Sequence, residues 1–131
     1  MAVKTALIID DEPDVTTYHG TVLSDHGWEV HTANSGADGI AIAQEKTPDV
    51  ILLDVMMPEK GGLSTLIALR KDERTKEIPV VLVTGIQEAL NADFEAFLKR
   101  FKAYNPNGYM EKPINVETLI ATLDKLTSDP N

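Results

Sequence analysis

Cysteine is absent from the 131 residues. Disulfides, thiolate metal sites and cysteine nucleophiles are therefore excluded. Long hydrophobic runs are absent too: no apolar stretch approaches the roughly 18 to 20 residues of a membrane helix. The opening segment, MAVKTALIIDDEP, runs from a short apolar stretch straight into acids, which is not the form of a secretory signal. Basic residues are nearly missing from the first half. Residues 1–59 hold eleven acids against Lys4 and Lys46, whereas residues 60–131 hold ten acids and ten bases, so the whole net charge of −9 lies in the first half. Such a chain is a poor ligand for nucleic-acid backbones or anionic membranes. The charge instead serves solubility or a cation site.

What is present is ordinary for a globular protein: 43% hydrophobic and 25% charged residues, in a length that suits one domain. The expectation is a single domain over 1–131, with its core at about 4–127 and a frayed tail at 128–131. Continuously apolar runs at Ala6-Leu7-Ile8-Ile9, Val50-Ile51-Leu52-Leu53 and Val80-Val81-Leu82-Val83 suit strands buried on both faces of a parallel sheet. Weaker strand candidates are Trp28–Thr32 and Gly108-Tyr109-Met110. Helical spacing follows Pro13 through Val15, Tyr18, Val22 and Leu23, stopping at Gly27. It recurs over 36–46, over about 63–71, and from the N-cap Asn115 through Leu126. Leu90, Phe94, Phe97, Leu98, Phe101 and Tyr104 form one long apolar stripe, which predicts a lengthened fourth helix ended by Asn105-Pro106-Asn107-Gly108. Strands alternating with helices predict βαβ units with right-handed crossovers in a three-layer α/β sandwich.

Functional groups of a parallel α/β sheet gather at the carboxyl ends of its strands. Here those positions hold Asp10 and Asp11, Asp54, Thr84 and Lys112. Two carboxylates 4 Å apart at an effective dielectric near 20 repel by about 4 kcal/mol, so the group requires protons or a cation. Oxygen donors without His or Cys favour Mg²⁺. With a lysine beside it, the site suits an anion of several oxygens, and phosphoryl transfer with a carboxylate nucleophile fits.

Asp10-Asp11-Glu12, Asp54-Val55-Met56-Met57-Pro58, Thr84-Gly85 and Lys112-Pro113, each after its own apolar strand, resemble the signature of response-regulator receiver domains of two-component systems. The resemblance covers about residues 4–127. It implies a flavodoxin-like, doubly wound five-stranded sheet in the order 2-1-3-4-5 with five helices. It implies that Asp54 accepts a phosphoryl group from a phosphohistidine of a sensor histidine kinase or a phosphotransfer protein. Asp11 would bind Mg²⁺ directly, Asp10 through a water or by positioning it, and the Met56 carbonyl would complete the set with Asp54. Thr84 and Lys112 would contact phosphoryl oxygens, and Gly85 would leave them room. Tyr109 would turn inward as Thr84 moves, changing the surface of the fourth helix, fifth strand and fifth helix. That surface is a candidate for a downstream partner or a second copy of the chain. Lys112-Pro113 is expected to be cis. A cytoplasmic, non-membrane signalling module with no turnover of an external substrate is implied.

The chain departs from the family pattern in three places. Lys60-Gly61-Gly62 replaces Met-Asp-Gly and is expected to loosen a turn without touching a catalytic group. The stretch from Thr84 to Lys112 is several residues longer than usual. Met56 and Ile86 are apolar where attacking water is often tuned, so slow autodephosphorylation is expected.

Other readings compete. A small Mg²⁺-dependent phosphatase of the haloacid-dehalogenase type needs an acid where Met56 stands. A flavodoxin-like electron carrier needs a Ser/Thr/Gly loop where Asp11-Glu12-Pro13-Asp14 stands. A receiver cut from a longer regulator remains open. Asp10-Asp11 alone would read as a helix N-cap, Lys112 alone as a surface lysine, and His19, His26 and His31 as surface or helix-packing residues.

Overall fold

The computed structural model describes residues 3–55, 57, 61–85 and 94–128. Five strands lie in one parallel sheet: β1 (Thr5–Ile9), β2 (Glu29–Ala33), β3 (Val50–Asp54), β4 (Val80–Thr84) and β5 (Gly108–Glu111), in the order β2-β1-β3-β4-β5. Among the described residues the helices are α1 (Pro13–Asp25), α2 (Gly36–Lys46), α3 (Gly62–Lys71), α4 (Phe94–Lys102) and α5 (Val116–Thr127). This is the flavodoxin-like arrangement.

The two faces of the sheet follow from strand periodicity, because successive side chains point to opposite sides. Leu7, Ile9, Ile51, Leu53 and Leu82 join Ala43, Leu66, Leu69 and Phe101 on the face covered by α2, α3 and α4. Ala6, Ile8, Leu52, Val81, Val83 and Met110 join Leu23, Leu119 and Leu123 on the face covered by α1 and α5. The central strands are apolar at nearly every position because both of their faces are covered.

Helix ends are set by local chemistry. Pro13 opens α1 at its first turn, and Gly27 beyond its end adopts φ 89°, a conformation open to glycine without strain. The side chains of Ser35 and Asn115 accept hydrogen bonds from the backbone N–H groups of Asp38 and Thr118, capping α2 and α5.

Two expectations need adjustment. Trp28 precedes β2 instead of starting it; its buried ring closes the α1–α5 face of the core. The fourth helix ends at Lys102, so Tyr104 lies in the following turn. There the backbone tightens to bonds from Tyr104 N–H to Phe101 O and from Asn105 N–H to Lys102 O, and Asn105 takes φ 55°. Tyr104 still packs against the core. Leu90, and the side chains of Phe94, Phe97 and Leu98, lie outside the described residues, as do Met56, Pro58, Lys60 and Ile86.

Candidate functional site: an acidic rim bridged by a lysine

β3 and β4 end at Asp54 and Thr84, and Asp10 and Lys112 directly follow β1 and β5. Parallel strands put all four residues on one rim. Asp10 is 3% exposed and Asp54 5%, a setting in which a carboxylate needs compensation. Lys112 supplies it. Its Nζ donates to Asp10 Oδ2 at 2.8 Å and lies 3.7 Å from Asp54 Oδ1. Burial works against the ammonium charge, but the hydrogen bond to Asp10 and the nearby charge of Asp54 outweigh it and raise the pKa of Lys112. The lysine is held at its backbone as well, where its N–H donates to Thr84 O at 2.7 Å. The Lys112-Pro113 peptide is cis. The end of β4 and the loop after β5 are thus fastened to each other beside Asp54.

Asp10 does not cap α1. The N-cap of that helix is Glu12, with no capping bond from its side chain. Asp10 Oδ1 instead accepts from Glu12 N–H at 3.0 Å. This folds the three acids into a cluster in which carboxylate oxygens of Asp10, Asp11 and Glu12 lie within 4.8 Å of one another. An all-oxygen donor set of that charge fits a hard divalent cation such as Mg²⁺. Thr84 is fully buried, and among the described residues its hydroxyl makes a long 3.5 Å bond to Gly85 O, a bond weak enough to yield to a better acceptor. Tyr109, on β5, is 40% exposed.

Three residues escaped the reading of the sequence. Glu12 joins the acidic cluster. Asn34, directly after β2, donates from Nδ2 to Asp10 O at 2.9 Å and so fixes the backbone of the acidic loop; its place on the same strand-end rim was the available signal. Gly62 is the third. A Cβ there would sit 2.6 Å from Asp54 O and 2.7 Å from Val55 Cα. The turn was expected to touch no catalytic group; Gly62 meets the main chain of Asp54 and not its carboxylate, so α3 begins in direct contact with the backbone of the site. Gly62→Ala is expected to lower the unfolding free energy by about 2 kcal/mol, read in urea. It should also displace the Asp54 backbone resonances, whereas Gly61→Ala, whose Cβ would come no closer than 3.6 Å to Met57 O, should leave them in place.

His19 of α1 is buried near this rim, with its ring 5.6 Å from that of Tyr18. Burial lowers its pKa, the Lys112 charge lowers it further, and Asp10 acts in the opposite sense. It is a packing residue kept neutral.

Among the described residues no helix is long and apolar enough to cross a membrane. The family model of the response regulator receiver domain matches residues 6–124. Protein PilH of Pseudomonas aeruginosa is 36% identical over 118 residues, which cover 90% of this chain and 93% of that protein. The polar-differentiation response regulator DivK of Brucella ovis is 30% identical, covering 96% of this chain and 98% of its own. The chain spans about half the length of two other relatives, with 47% and 49% of each covered. Among solved structures, the chemotaxis protein CheY4 of Vibrio cholerae superposes with a TM-score of 0.83 at 31% identity, covering 95% of this chain and 99% of that one. On its fold, its strand-end residues and these likenesses together, the chain belongs to the response regulator receiver domain family.

Proposed function

We propose that the chain is a phosphorylation-controlled interaction module in which Asp54 takes a phosphoryl group from a phosphohistidine of a sensor kinase or phosphotransfer protein. The observation that carries this reading is the Lys112 ammonium shared between two buried carboxylates, 2.8 Å from Asp10 and 3.7 Å from Asp54. A cation so placed can follow negative charge from a carboxylate onto a phosphoryl oxygen at little cost in reorganisation. In the transfer, an Asp54 carboxylate oxygen bonds to phosphorus, the phosphorus–nitrogen bond breaks and the histidine leaves with the electron pair. Thr84 donates its hydroxyl to one phosphoryl oxygen and Lys112 its ammonium to another. Asp10, Asp11, Asp54 and the Met56 carbonyl would hold Mg²⁺, with Glu12 alongside. When bound, the metal would neutralise charge on the phosphoryl oxygens.

The product carries about −1.5 to −2 charges and three acceptor oxygens where one carboxylate stood. Thr84 turns toward it, Tyr109 follows into the space released, and the surface of α4, β5 and α5 changes for a partner. No external substrate is turned over, and the setting is cytoplasmic. A second reading, that this receiver is one segment of a longer regulator, is favoured by the relatives of which the chain spans about half.

Intact mass after incubation with acetyl phosphate and Mg²⁺ tests the proposal. One phosphoryl adduct is expected on the native chain and none on Asp54→Asn. With Met56 and Ile86 both apolar, the adduct should persist for minutes or longer after the donor is removed. A native chain without an adduct, or an Asp54→Asn chain that retains it, rejects the reading.

A further inference from the structure

Of the chain's asparagines, Asn107 alone precedes a glycine. An asparagine so placed is open to attack from its own backbone: the amide nitrogen of the next residue can close a five-membered ring on the side-chain carbonyl carbon. Glycine presents that nitrogen with no Cβ in the way and with the widest backbone freedom. Asn105, two residues earlier, is spared, because Pro106 has no N–H to lose. Asn107 is exposed, so water reaches it.

The fold holds this pair closed. Asn107 Oδ1 accepts from Val80 N–H and from Arg70 Nη2, both at 3.0 Å, and the Asn107 backbone N–H donates to Val80 O at 2.7 Å. Side chain and main chain of Asn107 thus grip the same residue of β4. Gly108 follows at the start of β5, opposite Val81. Ring closure requires the Asn107 side chain to turn back over the Gly108 nitrogen, which first breaks both bonds to Oδ1. The bond from the guanidinium is charge-assisted and the stronger of the two. Arg70 is itself fastened to Lys76 O, Ile78 O, Tyr104 O and Asn105 O, so it does not follow the side chain as it turns.

We propose that Asn107-Gly108 is a site of spontaneous deamidation, and that Arg70 is the guard that sets its rate. When the turn before β5 opens, the Gly108 nitrogen gives its proton to hydroxide and bonds to Asn107 Cγ. The Cγ–Nδ2 bond breaks, and Nδ2 leaves as ammonia after taking a proton from water. Water then opens the cyclic imide at either carbonyl, leaving aspartate or isoaspartate. The net change is one water consumed and one ammonia released. Aspartate would keep an oxygen for Val80 N–H and gain an ion pair with Arg70. Isoaspartate would add a carbon to the main chain ahead of Tyr109 and push the start of β5 out of register.

The native chain, Arg70→Met, Arg70→Lys and Gly62→Ala are held in warm, mildly alkaline buffer. Digestion and mass spectrometry follow the peptide that spans Asn107 in its amide, aspartate and isoaspartate forms. The native chain in concentrated urea, with the turn unrestrained, is the reference. The folded native chain should deamidate well below the reference rate, and Arg70→Met at least about tenfold faster than the native chain. Arg70→Lys should fall between the two, and it serves if circular dichroism shows that Arg70→Met is unfolded. Gly62→Ala loosens the opposite end of the sheet and should leave the rate at its native value, because the opening is local. A native chain as fast as the reference, or an Arg70 variant no faster than the native chain, would overturn the proposal. So would a folded Gly62→Ala chain as fast as the Arg70 variant, since the site would then be exposed only by global unfolding. Unphosphorylated protein is used throughout, so the outcome is independent of the chemistry at Asp54.

Discussion

Lys112→Met is expected to cost about 2 kcal/mol of unfolding free energy in metal-free solution at neutral pH. Removing one member of a fully buried charge pair costs roughly 3 to 5 kcal/mol, since the remaining charge is left without compensation. The lysine side chain is 23% exposed, against 4% for Asp10 and 5% for Asp54, so the lower figure applies. The pH dependence has a definite sign. The folded-state pKa of Lys112 is raised above its ordinary 10.5. Its stabilisation is therefore fully present below that value and is lost as pH rises through the folded pKa. Urea unfolding curves of the native chain and the variant should accordingly differ at neutral pH and converge in strong alkali. Asp10→Asn in the Lys112→Met background should recover part of the loss, because it removes the charge left stranded. Adding Mg²⁺ should recover part of it as well, if a cation takes the lysine's place among the same carboxylates. A variant as stable as the native chain at neutral pH would mean that the acids are already relieved by protons.

The strands were legible because burial on two faces leaves a plain mark: Ile51, Leu52 and Leu53 in a row, or Val80 to Val83, admit few other readings. The strand-end residues were legible for a related reason. An acid directly after such a run, as at Asp54 or Asp10, is costly unless something compensates it. Lys112 is the compensation for both, yet as an isolated lysine it reads as a surface residue, and only the strand before it places it on the rim. The role of Gly62 was missed because it is a distance to a neighbouring backbone, and the main chain of Asp54 leaves no trace in the identity of its side chain. Tyr104 was drawn into the α4 stripe because periodicity does not say where hydrogen bonding shifts from i→i+4 to i→i+3.

Arg70 gives the largest instance of the same invisibility, and its replacement by Met is expected to cost about 3 kcal/mol. At the end of α3 an arginine reads as a favourable charge on the helix dipole. In the fold its guanidinium is half-buried and uses every N–H group. Nε donates to Tyr104 O at 3.1 Å, and Nη1 donates to Lys76 O at 3.2 Å and Ile78 O at 2.8 Å. Nη2 donates to Asn105 O and to Asn107 Oδ1, both at 3.0 Å. The Asn107 side chain passes the connection on by accepting from Val80 N–H at 3.0 Å, and the Asn107 backbone N–H donates to Val80 O at 2.7 Å. One side chain thus ties the end of α3, the loop before β4 and the turn between α4 and β5. Burial lowers the pKa of Arg70, with only the charge of Glu77 acting against it, so carbonyl dipoles supply most of the compensation. Hydrogen bonds to a charged group are worth roughly 1.5 to 3 kcal/mol each in isolation. Several of these are partly open to water, and the sum is correspondingly smaller. Arg70→Lys should restore less than half of the loss, because an ammonium has three donors and no planar fork to span acceptors in three segments. Amide exchange locates the effect: Asn107 N–H should lose protection in Arg70→Met while the amides of β1 and β3 keep theirs. Because the bonds lie at the end of the sheet away from Asp54, the variant should still gain a phosphoryl adduct.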